Sequence, residues 1–137
     1  MKKIIFMLLL LGGFACVSNA FADGVKDNVD LKKQFDGYYS QLLEYRKDPK
    51  IQLSSNPAVY NDCEAFRKIV ETGKVFLPFI VEEIKKGDFF LNQAMEEITG
   101  IKSTSLKNTD EIIGEIEISK LWIEWWEQNK NKFAELK

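Results

Sequence analysis

The sequence predicts an all-α domain, and three observations carry that reading. Apolar residues recur at spacings of three and four along most of the chain, the period of a helix with one buried face. Capping residues and glycines punctuate those runs at their ends. No segment sustains the period-two alternation of a half-buried strand; Ile112 to Ile118 comes nearest and is too short and isolated to build a sheet.

The first residues read as an address. Met1-Lys2-Lys3 is followed by an apolar run from Ile4 to Val17, broken at Gly12-Gly13, shorter than the about 20 residues a bilayer crossing needs. Ala20 and Ala22 then give the small-x-small pattern that a signal peptidase cuts after. The expectation is a cleaved signal over 1–22, a single helical domain over 23–137, and a periplasmic or secreted destination. The rival is a lipoprotein anchored through Cys16, against which Gly13 stands where a bulky aliphatic residue is usual. A membrane is expected as a partner only in that case.

The first helix is expected from Asp30 to Lys47. Leu31, Phe35, Tyr38, Leu42 and Tyr45 form its face, Asp27 or Asp30 caps its start, and Asp48-Pro49 ends it because the residue before proline is pushed out of the helical region. Gly37 weakens it by about 1 kcal/mol relative to alanine unless close packing uses the missing side chain. Ile51 to Pro57 reads as a polar connection, with Ile51 and Leu53 its candidates for burial.

Asn61-Asp62-Cys63-Glu64 has the form of a capping box, with Asn61 as cap and the Glu64 carboxylate reaching back to it. The second helix follows, with Cys63, Phe66, Ile69 and Val70 on one face and Gly73 closing it. Val75 to Lys86 is the third, buried through Leu77, Ile80, Val81 and Ile84, with Pro78 in a first turn that has no use for its N–H. Gly87 stops it and Asp88 caps a fourth, Phe89 to Thr99, with Phe90 or Leu91, Ala94, Met95 and Ile98 inward and Gly100 at its end.

One or two residues between helices leave no room for excursions, so the second, third and fourth are expected to fold back as helical hairpins. A polar loop runs from Ile101 to Asn108. Thr109 or Asp110 caps a short turn carrying Ile112 and Ile113, stopped by Gly114. The last helix starts near Glu115 and buries Ile118, Leu121, Trp122, Trp125 and Phe133.

Composition narrows function mainly by exclusion. The 137 residues are 45% hydrophobic and 29% charged, and histidine is absent, which removes imidazole-based triads and His-ligated zinc. Without Lys2 and Lys3 the 19 basic residues fall to 17 against 21 acidic, so no basic stripe awaits phosphates and nucleic acid is not an expected partner. With Cys16 removed Cys63 stands alone, and no intramolecular disulfide forms.

Trp122, Trp125 and Trp126, at i, i+3 and i+4, are the candidate binding residues. Exposed indoles make a stacking platform for a glycan or an anchor for a partner protein; buried, they are core. The reading from spacing puts Trp122 and Trp125 in the core and Trp126 half-covered at the edge. Glu82-Glu83, Glu96-Glu97, Glu124 and Glu127 invite an acid/base pair acting on glycans, but Lys85-Lys86 and Lys130 follow within a turn, as on a solvated helix face. Cys63 at a helix start reads as a small buried residue rather than a nucleophile, and Asp23 to Asp30 lacks calcium-loop spacing and reads as a leader. No catalytic residue, metal or cofactor is expected.

The segment Ala94 to Gly100 ending Ile-Thr-Gly, a variable loop, and then Trp122-x-x-Trp125-Trp126 resembles a group of uncharacterised exported bacterial helical proteins, as do Phe66 to Gly73, Leu77-Pro78 and Ile84. Similar segments occur in HEAT-like repeats. The resemblance covers roughly 56–130 and implies about five helices in a compact HEAT-like helical-hairpin stack. It transfers no catalytic residue. With the usual catalytic constellations absent and an architecture similar to one used for binding, the expectation is a binding or interaction module without catalysis, with an envelope protein or a glycan as partner. The alternatives are a periplasmic immunity or inhibitor protein and a carboxylate-based glycan-acting enzyme.

Overall fold

The computed structural model describes residues 27–107 and 111–134, and these are helices, 3-10 turns and connections with no strand among them. The expected signal segment lies outside the described residues. Helix α1 spans 27–46 and buries Phe35, Leu42 and Arg46. Asp30 is inside the helix rather than at its cap, and Asp27 to Asp30 is helical rather than a leader.

The chain leaves α1 before Pro49 as the sequence dictates. Asp48 then accepts the Lys50 N–H at 2.9 Å and starts the single turn α2, Pro49–Gln52. Leu53, a candidate for burial, is 86% exposed. The short turn spends its length on reversing the chain, and Leu53 ends it facing solvent. A 3-10 turn, Pro57–Asn61, follows with Asn56 accepting the Ala58 N–H at 3.1 Å.

The expected capping box does not form. Asn61 closes the 3-10 turn and is buried, Cys63 is the N-cap of α3 (Glu64–Thr72) without a side-chain cap bond, and Glu64 is the first helical residue. The Asn61 carboxamide instead has three partners elsewhere, described below, which a solvated cap cannot match. Gly73, at φ 81°, ends α3 as expected. A 3-10 turn, Gly73–Phe76, leads into α4 (Leu77–Lys85), with Pro78 in its first turn and Leu77, Ile80, Val81 and Ile84 buried.

Gly87 stops α4. Asp88 makes no side-chain cap bond to the 3-10 turn Phe89–Leu91; its Oδ2 takes Tyr39 and Arg46 of α1, and its buried Oδ1 has no hydrogen-bond partner among the described residues. Helix α5 (Asn92–Thr99) ends at Gly100, φ 73°. The expected loop contains one helical turn, α6 (Ser103–Leu106), fastened by Glu96, which accepts from the Ser103 N–H at 2.8 Å and from its hydroxyl. Thr109 and Asp110 lie outside the described residues. Residues 112–114 are not a turn of helix, Ile112 is fully exposed, and Gly114 is the N-cap of α7 (Glu115–Phe133) instead of a stop.

The buried apolar side chains form one cluster drawn from α1, α3, α4, α5 and α7. Helix α4 lies between α1 and α7. Phe35 meets the Phe76 ring edge-on at 5.4 Å and Phe79 at 5.7 Å, and α7 packs on α4, α5 and α6. Helix α3 packs chiefly on α5, joined to α4 through the intervening 3-10 turn. No helix among the described residues is long and apolar enough to cross a membrane.

Candidate functional site

Two helix stripes and a turn make a groove of about 720 Å³. From α1 come Asp27, Asp30, Leu31 and Gln34, at helical spacing on one face. From the far end of α7 come Trp126, Lys130 and Phe133. Between them the turn after Gly73 sets Lys74 and Val75 at the lip, and Pro78 completes the floor. Gly73 permits this placement, because its left-handed φ redirects the chain where a side chain is strained.

The three tryptophans do not form one open platform. Trp122 is fully buried, Trp126 is 8% exposed, and Trp125 is partly buried against the cluster. The sequence reading therefore exchanges the last two: Trp126 is the more deeply held and Trp125 the more open. Helix geometry explains it. At about 100° per residue, Ser119, Trp122 and Trp126 fall within about 60° of one another, the arc that α7 buries, while Trp125 lies about 60° beyond Trp122 on the far side from the other two.

Trp126 stacks on Phe133 at 5.9 Å and 25°, while Trp125 meets Trp122 edge-on at 5.6 Å. The buried Trp122 Nε1 has no hydrogen-bond acceptor. Of the three candidate binding residues, Trp126 alone lines the groove.

Charge around the groove is divided. Asp27, Asp30 and Lys74 make no ion pair among the described residues. Lys130 donates to Glu127 at 2.5 Å, and Glu127 also takes Lys85 at 3.5 Å. These ammonium groups, Lys130 foremost, hold the Glu127 carboxyl below its ordinary value. The other glutamates have helix-face partners too: Glu82 with Lys85 at 3.2 Å, Glu83 with Lys86 at 2.9 Å, and Glu97 accepting from Gln93 at 2.7 Å. Glu124 is exposed. Cys63 is partly buried, and no cluster of three metal-ligating side chains occurs among the described residues.

A second polar constellation was not legible in the sequence. Arg46 donates to Asp88 Oδ2 at 2.7 Å, to Asn61 Oδ1 at 2.7 Å and to the Tyr60 carbonyl at 3.1 Å, with its guanidinium 5.1 Å from the Phe90 ring centre. Tyr39 donates to the same Asp88 oxygen at 2.8 Å. Burial, and then the Asp88 charge, push the Tyr39 phenol far above its ordinary value. Asn61 passes the chain on, donating to the Phe90 carbonyl at 2.8 Å and to Gln93 at 3.0 Å.

Arg46 lies four residues after the buried Leu42 and eleven after Phe35, continuing the apolar face of α1. A charge in that register is the one sequence signal that pointed to it. Clefts of about 270 and 360 Å³ flank Asn61 and Gln93, and the Phe90 ring beside them is held by Tyr60, stacked at 4.3 Å, and by Arg46. The constellation braces the fold. The groove beside Trp126 is a candidate surface for an occupant. No family model, curated protein or solved structure matches the chain.

Proposed function

We propose that the chain is an exported, non-catalytic binding module that holds an apolar anchor of an envelope protein in the groove at Trp126. The observation that carries this reading is the groove itself, about 720 Å³ with Leu31, Val75, Pro78, Trp126 and Phe133 as its apolar lining. That is the size and chemistry of a pocket for a few large side chains of a partner. Short glycine-terminated connections between α3, α4 and α5 support a HEAT-like stack, an architecture whose grooves serve recognition.

The test is capture from an envelope extract by the protein and by two groove variants, Leu31→Arg and Val75→Glu, each checked for unchanged helicity by circular dichroism. The expected result is a partner retained by the parent protein and lost by both variants. A partner set indifferent to both substitutions, or a measured turnover on a glycan, overturns the proposal.

A further inference from the structure

The two sides of the groove carry opposite charge. On the α1 side stand Asp27 and Asp30, a helical turn apart and neither ion-paired among the described residues. On the α7 side stands Lys130, which also pairs with Glu127, and at the lip between the two stands Lys74, in no ion pair among the described residues. Between them the floor is apolar.

Each class of occupant asks for something different from such a surface. An acyl chain uses the floor and one sign of charge at its head, and leaves the other side unanswered. A bilayer meets protruding apolar groups, whereas here they are recessed. A saccharide wants polar groups beneath it as well as an aromatic ring. An amphipathic helix uses all three parts, laying an apolar stripe on the floor and a flank of charge against each side, as in helix-in-groove recognition. Opposite charges on the two sides then fix its direction, since turning the helix end for end sets like charges together.

Resting on the reading of this groove as the binding surface, we infer that its occupant is an amphipathic α-helix of a partner protein. Its apolar stripe seats on Trp126, with basic residues toward Asp27 and Asp30 and acidic residues toward Lys74 and Lys130. Apolar burial supplies the affinity, and the flanking pairs supply orientation and choice of partner.

The test uses three synthetic peptides of about 15 residues with one shared leucine stripe and different flanks: lysine on one side and glutamate on the other, lysine on both, and glutamate on both. Binding to the purified protein is read by fluorescence anisotropy near physiological salt, where distant charges are screened. The mixed peptide is expected to bind about tenfold more tightly than either uniform one.

Asp27→Lys with Asp30→Lys is expected to move the preference to the glutamate-flanked peptide, and Lys74→Glu with Lys130→Glu to the lysine-flanked peptide. All four positions are exposed, so the fold is expected to persist, with circular dichroism as the check. Binding that ignores the flanks in parent and variants overturns the helix while leaving the groove as the binding surface. Binding of none of the peptides overturns the helix as occupant, as does a groove that instead takes anionic vesicles or a second copy seen as a dimer in sedimentation, while the groove as binding surface is decided by the capture experiment with Leu31→Arg and Val75→Glu.

Discussion

Arg46 sits in the core register of α1 with its side chain 10% exposed, and its partner Asp88 is 11% exposed. Such a pair does little for net stability, since desolvation offsets most of the attraction, but removing one partner leaves the other as an uncompensated charge. Arg46→Met is therefore expected to lower the urea unfolding free energy by about 3 to 5 kcal/mol. Adding Asp88→Asn to it is expected to recover part of that loss, because a neutral carboxamide tolerates the same site. A cost below about 1 kcal/mol for the single change sinks the assignment.

Tyr39 gives the same pair a pH signature. Its folded-state pKa lies above the ordinary 10.0 through burial and the adjacent Asp88 carboxylate, so its contribution is complete below pH 10 and is lost as pH rises beyond. Tyr45, also raised by burial, adds to the same loss. The slope of stability above pH 10 is expected to be shallower in Tyr39→Phe, and an unchanged slope contradicts it. At Trp122 the expectation is steric. Truncation to alanine is expected to cost about 3 to 5 kcal/mol, and Trp122→Phe much less, because it also removes an indole N–H that finds no acceptor.

Helix ends were the most legible elements and helix starts the least. Gly73, Gly87 and Gly100 all have positive φ, a conformation the residue type announces without reference to the rest of the chain. A start is different, because Asn61 and Asp88 are good caps only while nothing better competes for their side chains, and here Arg46 does. That competition spans 15 and 42 residues of sequence, beyond any local pattern. The groove shared the difficulty. Its Trp126 was visible, but Lys74, Asp30 and Pro78 join it only through the packing of α1 and α7 on either side of α4.

Two glycines turn this contrast into opposite predictions. At Gly37, mid-helix, an added Cβ meets nothing within 4 Å, so Gly37→Ala is expected to stabilise by about 1 kcal/mol. At Gly100, with φ 73°, Gly100→Ala meets open space too, yet is expected to destabilise by about 1 kcal/mol because the left-handed backbone is strained for any L residue. Thermal unfolding of the two variants reads the signs directly, and a common sign refutes the argument.

At the scale of the molecule the question is whether the helices are additive units or parts of one core. In a repeat stack each unit packs on its neighbours, and loss of a terminal unit leaves the remainder folded. Here the buried cluster takes Phe35 and Leu42 from α1 and Trp122 and Trp126 from α7, so residues far apart in sequence close a single interior. Helix α7 packs on both α4 and α5, and ending the chain after Gly114 strips two indoles from that interior at once. The truncated chain is accordingly expected to lose its cooperative transition and most of its helical circular dichroism, while the intact chain shows coincident urea curves by far-ultraviolet dichroism and tryptophan fluorescence. A truncated chain that still melts sharply with α1 and α3 to α5 intact makes α7 a removable cap, and the groove it forms with α1 a junction between separable parts.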